Sequence, residues 1–117
     1  MPRREETWLR DMLAAAKGAQ LYVTGHDFSG FIADEMRVDA TVRRLEILGE
    51  ACKSISETTY QKYPAVDWRQ WRRMRDRLIH VYFSVDLKAV WKIVTEDLPL
   101  LIPQLEAILE TEYGPKN

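Results

Sequence analysis

Only two of the 117 residues are histidines, the side chains whose ordinary pKa suits proton transfer near neutral pH. His26 sits in a glycine-flanked turn, Thr24-Gly25-His26-Asp27, and reads as a solvated loop residue. His80 stands in different company. Successive residues of an α-helix turn by about 100°, so Asp76, four back, and Arg77, three back, neighbour it on one face. Arg73, seven back, returns to within about 20° of it, whereas Arg75, five back, falls about 140° away. Asp76 would orient the imidazole and favour its protonated form, while the arginines oppose that, and the sequence does not sign the balance. Arg75 would have to reach round the helix or serve a site shared with a second chain. The plain alternative for a histidine at a helix end is partnership with the C-terminal dipole.

The arginines around His80 are concentrated. Five of the eleven in the chain are Arg69, Arg72, Arg73, Arg75 and Arg77, opposed by Asp67 and Asp76, which leaves residues 67–77 at +3. Residues 96–117 carry Glu96, Asp97, Glu106, Glu110 and Glu112 against Lys116, for −4. Two solvated faces of opposite sign would account for this. So would an anion site, for which arginine is suited because its guanidinium donates two hydrogen bonds to one phosphate in a fixed fork. In that reading Arg72, Arg73 and Arg77 would contact nucleic acid. Trp68 and Trp71 flank the patch, where they would either stack on bases or, as tryptophans at helical spacing usually do, enter the core.

Other chemistries lack their residues. One cysteine and two histidines give no zinc-ligand spacing, and no Walker loop, Rossmann glycine fingerprint or Gly-x-Ser-x-Gly elbow occurs. Glu46 and Glu50 share a helix face behind Asp34 and Glu35. A carboxylate pair can hold a divalent metal, but a solvated face is the usual meaning, and neither metal nor cofactor is expected.

The elements that must carry these residues read as helices. Trp8, Met12, Ala15, Ala19 and Tyr22 place one from about Glu5 to Val23, closed at Thr24-Gly25. A second starts near Asp34 and runs past Ile55, with Val38, Leu45, Leu48, Cys52 and Ile55 as its apolar stripe and Arg37, Arg43, Arg44, Glu46 and Lys53 mostly pointing away. Gly49 inside it predicts close approach of another backbone. Residues 56–63 either continue that helix or turn away before Pro64. Asp67 caps a third, from Trp68 to about Tyr82, and a fourth begins near Asp86. Pro99 should kink the fourth or restart it with Asp97 as cap. The prediction is one all-α domain over 1–117, an antiparallel bundle of four to five helices. An apolar share of 46% suffices for a core, and a net charge of −1 argues against bulk electrostatic attachment to nucleic acid or membrane. No apolar run approaches the roughly 18 residues of a membrane span. The single Cys52 and the absence of an apolar signal segment after Met1 lead to the expectation of a soluble, cytoplasmic protein.

The run Arg75-Asp76-Arg77-Leu78-Ile79-His80-Val81-Tyr82 has the form R-x-x-x-x-H-x-Y and resembles the signature of the HEPN superfamily in its HepT-like branch. The surroundings agree: Leu45-Glu46-Ile47-Leu48-Gly49-Glu50-Ala51, Trp68 and Met74 before it, then Tyr82-Phe83-Ser84-Val85-Asp86, Val90-Trp91 and Asp97-Leu98-Pro99. The resemblance covers roughly residues 5–110, and no motif position is substituted. It implies a HEPN-like homodimer whose motif helices face each other, acting as a metal-independent endoribonuclease on tRNA or mRNA. It implies further a toxin–antitoxin pair, in which an MntA-like minimal nucleotidyltransferase neutralises the toxin by adding AMP to the motif tyrosine. Carried over, Arg75 and His80 are catalytic, Asp76 is a supporting polar residue and Tyr82 is the AMP acceptor. A reading from another class keeps the dimer and the nucleotidyltransferase partner but makes the chain a non-catalytic helical adaptor. A DNA-binding helix-turn-helix is disfavoured, because no tight turn precedes the arginine helix.

Overall fold

The computed structural model describes the backbone of residues 3–83 and 86–115 and the side chains of residues 4–79 and 86–115. The described chain is helical, with no strand among those residues. Its elements are α1 (Arg3–Val23), α2 (Phe28–Ile32), α3 (Glu35–Lys53), α4 (Glu57–Lys62), α5 (Trp68–Arg72), α6 (Met74–Phe83), α7 (Leu87–Lys92), a π-helical turn (Ile93–Asp97) and α8 (Leu98–Tyr113).

Side-chain bonds give the directions. Arg37 near the start of α3 donates to the Tyr22 carbonyl at the end of α1, while Glu5 at the start of α1 meets Ser56 just past α3, so the two run antiparallel. Lys17 pairs with Glu106 at 3.3 Å, and Arg10 shares a groove with Glu110 and Tyr113, so α8 also runs antiparallel to α1. Alanines Ala15, Ala16 and Ala19 line the inner face of α1 and let these neighbours approach closely. The core closes with Leu9 and Met12 of α1, Val42, Leu45, Leu48 and Cys52 of α3, and Leu101, Leu105 and Ile108 of α8, all nearly inaccessible to solvent. The antiparallel all-α bundle expected from the periodicity is therefore present.

Four local outcomes follow from capping and packing. Gly25 takes φ +81°, the left-handed conformation that ends α1. Asp34 caps α3 by accepting from the Arg37 amide, as expected, but α3 ends at Lys53 and Ile55 is buried beyond it. Ser56 then caps a separate short α4. The third helix differs from its prediction: it divides at Arg73 (φ −92°, ψ 11°) into α5 and α6. Trp68, Trp71 and Met74 are all buried, and the Trp71 carbonyl and the Met74 side chain both lie against Gly49 of α3. The seven-residue alignment of Arg73 with His80 involves a side chain outside the described residues. In the fourth helix, α8 does begin after Asp97, but Asp97 keeps helical φ and ψ and makes no side-chain cap bond. The π turn absorbs the proline instead: Leu98 N–H donates to the Ile93 carbonyl, five residues back, just before Pro99 removes a donor.

Candidate active site

Gly49 registers the two helices that build the site. A Cβ there would lie 2.9 Å from Met74 Cβ and 3.2 Å from the Trp71 carbonyl oxygen, so the absence of a side chain is what brings the α5–α6 junction onto α3. The residues that follow the contact, Glu50 on α3 and Arg75 on α6, consequently line one cleft. That cleft encloses about 380 Å³, with Arg43, Glu46 and Glu50 from α3 facing Arg75, Leu78 and Ile79 from α6. Leu78 is buried beneath it, whereas Ile79 is half exposed at 51%. Glu46 accepts from Arg43 at 3.3 Å, and Glu50 pairs with Lys53 at 3.4 Å, both within α3. A second groove of about 340 Å³ continues past Arg43 and Glu50 to Trp8 and Asp11 of α1.

The residues singled out in the sequence separate into groups. Arg75 is exposed and lines the cleft. Asp76 is exposed and Arg77 half-buried, and neither lines that cleft. His80 and Tyr82 fall on the last turns of α6, four residues after Asp76 and six after it, and their side chains lie outside the described residues. Arg73 is exposed at the junction. Arg72 holds its guanidinium 4.8 Å from the centre of the Tyr60 ring and is not among the described residues lining the cleft. Among the described residues, Arg69, Arg72, Arg73, Arg75 and Arg77 form no ion pair with a carboxylate, whereas Arg10, Arg37 and Arg43 each have one. The +3 of residues 67–77 is thus left for a ligand or for water.

Both tryptophans turn inward. Trp68 is 5% exposed with its indole N–H donating to the Tyr63 carbonyl at 2.9 Å, and Trp71 is 2% exposed, so neither offers a face for a base. His26 is exposed in its turn. No group of three or more His, Cys, Asp or Glu suited to a metal occurs among the described residues, and no described helix is long and apolar enough to cross a membrane. Arg43 was missed in the sequence, where it reads as one more outward-pointing charge. Only the position of α6 beside α3 makes it a cleft residue.

The family described as "Ribonuclease HepT-like" matches residues 12–108, from the first half of α1 nearly to the end of α8. The chain belongs to that family. It is 37% identical over 108 residues to "Probable ribonuclease HepT" of Thermococcus cleftensis, covering 92% of this chain and 98% of that protein. A protein of Methanocaldococcus jannaschii whose name assigns it provisionally to the RNases is 34% identical over 115 residues, 97% of this chain and 95% of the relative. A similarly named protein of Caldanaerobacter subterraneus is 38% identical over 90 residues, 77% and 80% of the two chains. No solved structure matches. As a HepT-like protein the chain is an endoribonuclease, and the cleft carrying Arg75 is the candidate place for that chemistry.

Proposed function

We propose that this HepT-like chain is a metal-independent endoribonuclease toxin whose site is completed by a second copy. The observation that carries the proposal is Arg75: an arginine without an ion-pair partner among the described residues, lining an open cleft on the helix that also bears His80. Cleavage of RNA without a metal needs proton transfer and fixed positive charge. A base removes the proton of the 2′-hydroxyl as its oxygen attacks phosphorus, the P–O5′ bond breaks, and an acid protonates the departing oxygen. His80 suits the proton transfers and Arg75 the charge on the phosphorane. Arg75 and His80 lie about 140° apart on one helix. Two motif helices facing each other would supply a second histidine and a second arginine, dividing the acid and base roles. Asp76, one turn before His80, would orient its imidazole, and Arg72, Arg73 and Arg77 would hold flanking RNA phosphates.

Tyr82 lies two residues past His80, where AMP would add bulk and negative charge against an incoming phosphate. We therefore place this chain opposite an MntA-like nucleotidyltransferase antitoxin acting at Tyr82. The test is cleavage of purified tRNA and mRNA in EDTA by wild type, His80→Ala and Arg75→Ala, with intact mass recorded. Each substitution should slow cleavage by about 10²–10⁴-fold. Wild-type rates from folded mutants would end the proposal. An unmodified protein that cleaves nothing yet binds the nucleotidyltransferase stoichiometrically would identify an adaptor.

A further inference from the structure

Beyond Arg75, assigned above to the phosphorane, the described lining of the α3–α6 cleft is not that of a phosphate site: Arg43 is paired with Glu46 at 3.3 Å, Glu50 adds a second carboxylate, and Leu78 and Ile79 form an apolar wall. Two carboxylates oppose a polyanion, so they must face a part of the substrate that carries hydrogen-bond donors and no charge. The flanking phosphates have a separate place to go, along Arg69, Arg72 and Arg73, which form no ion pair among the described residues. An apolar wall, acceptors at the rim and a volume of about 380 Å³ fit one nucleoside.

We propose that this cleft is a nucleobase pocket selective for guanine, with the Glu50 carboxylate accepting from its N1–H and N2–H₂ groups. The proposal rests on RNA being the substrate of the same site. An ionised carboxylate only accepts, and it offers two oxygens side by side. Guanine alone among the four bases presents two adjacent donors on its Watson–Crick edge. Cytosine and adenine each pair one amino group with a ring acceptor, and uracil sets its single N–H between two carbonyls. Glu50 is the better candidate of the two acids. Its side chain is 62% exposed and its recorded partner, Lys53 at 3.4 Å, is a surface neighbour that a ligand can displace. Glu46 is 32% exposed and already engaged by Arg43. Glu50 also stands where the cleft meets the groove leading to Trp8, so a base held there keeps its chain neighbours outside.

The test uses 2′-O-methyl tetranucleotides, which bind but lack the attacking hydroxyl, with guanine, inosine or adenine at one position between uridines. Fluorescence anisotropy should show wild type binding the guanine probe about tenfold more tightly than the adenine probe. Inosine, which lacks the N2 amino group, should lose about threefold against guanine. Glu50→Gln should erase the preference, and Glu46→Gln should retain it. Equal binding of the three probes by wild type, or an undiminished preference in Glu50→Gln, overturns the assignment. Cleavage of unmodified RNA in EDTA, measured in parallel, reports separately on the ribonuclease reading. Guanine selectivity without cleavage would leave the pocket and remove the toxin chemistry, and indiscriminate cleavage would do the reverse.

Discussion

Glu5 is a buried acid whose importance no motif announces. It is 4% exposed, and its two oxygens accept from the Ser56 amide at 2.6 Å, the Thr59 hydroxyl at 3.0 Å and the Ser56 hydroxyl at 3.3 Å. Ser56 in turn accepts from the Thr59 amide, so the first turn of α1 completes the cap of α4. A charge removed from water at this depth is tolerable because the unsatisfied amides of a helix start surround it. Glu5→Ala leaves those donors buried and unpaired. It should cost about 2 kcal/mol of unfolding free energy in a urea titration, with helix content retained in the folded state. A loss below about 0.5 kcal/mol would mean that water replaces the carboxylate at no cost. Cys52 illustrates the opposite use of burial. Its thiol is pushed up to about 12 by burial, with Arg72 only partly offsetting it, which makes it a core residue and not a nucleophile.

Between elements, the decisive contact is Gly49 against Met74. Alanine at position 49 would gain helix propensity worth about 1 kcal/mol, yet its methyl would meet Met74 Cβ at 2.9 Å and the Trp71 carbonyl at 3.2 Å. Neither is the tip of a flexible side chain, so α6 must move. Overpacking of this kind costs about 1–3 kcal/mol, and the clash exceeds the propensity gain. Gly49→Ala should therefore lower the urea midpoint, and cleavage activity should fall further than stability explains, because Arg75 moves with α6. A stabilised Gly49→Ala protein with full activity would show that the α3–α6 register is not set here. The π turn at Ile93–Asp97 is a second such adjustment. It takes up one extra residue before Pro99, leaving the Asp97 carboxylate to accept from Gln70 Nε2 at 2.9 Å and tie α8 to α5.

For the molecule as a whole, one buried and two half-buried weak acids set the alkaline limit. Cys52 is raised from 9.0 to about 12, and Tyr60 and Tyr63 from 10.0 to about 12. Burial is the chief cause in all three. At Tyr60 the neighbouring Cys52 adds to it, and at Tyr63 the hydrogen bond to Glu112 does. The folded state keeps these protons where the unfolded chain has lost them, so stability is intact below about pH 9 and falls as pH rises toward 12. Glu112 works at the other end of the scale. Hydrogen bonds from Lys62 and Tyr63 hold its carboxyl below the ordinary 4.5, so its contribution is present above that value and is lost as pH falls through the lowered one. Urea midpoints measured from pH 3 to 11.5 should form a plateau that declines at both ends, and a midpoint at pH 11 equal to that at pH 8 would contradict it.

Much of this was legible in the chain alone. The 3.6-residue spacing of Met12, Ala15 and Ala19, or of Leu45, Leu48 and Cys52, marks helices because burial on one side of a helix imposes that period. Asp34, Asp67 and Asp86 mark starts because a short acceptor satisfies the first free amides, whereas the start at Ser56 emerges only in the structure. The run Arg75 to Tyr82 points to the HepT-like family only together with its surroundings, from Leu45-Glu46-Ile47 through Trp68 and Met74 to Asp97-Leu98-Pro99, since a family is written in the order and spacing of many short segments. What lies across a cleft is not local. Arg43, Glu46 and Glu50 look like one solvated face until α6 is set beside them, and for Trp68 and Trp71 the spacing favours the core over base stacking, which their burial bears out. Glu5 and Thr59 are 54 residues apart, a pairing that helical periodicity cannot express. Sequence by itself determined the helices and the motif, through interactions within a turn or two. Tertiary structure decided which charges share a cleft and which aromatic rings see water, because those depend on how rigid helices cross, and here that crossing is set by one missing side chain at Gly49.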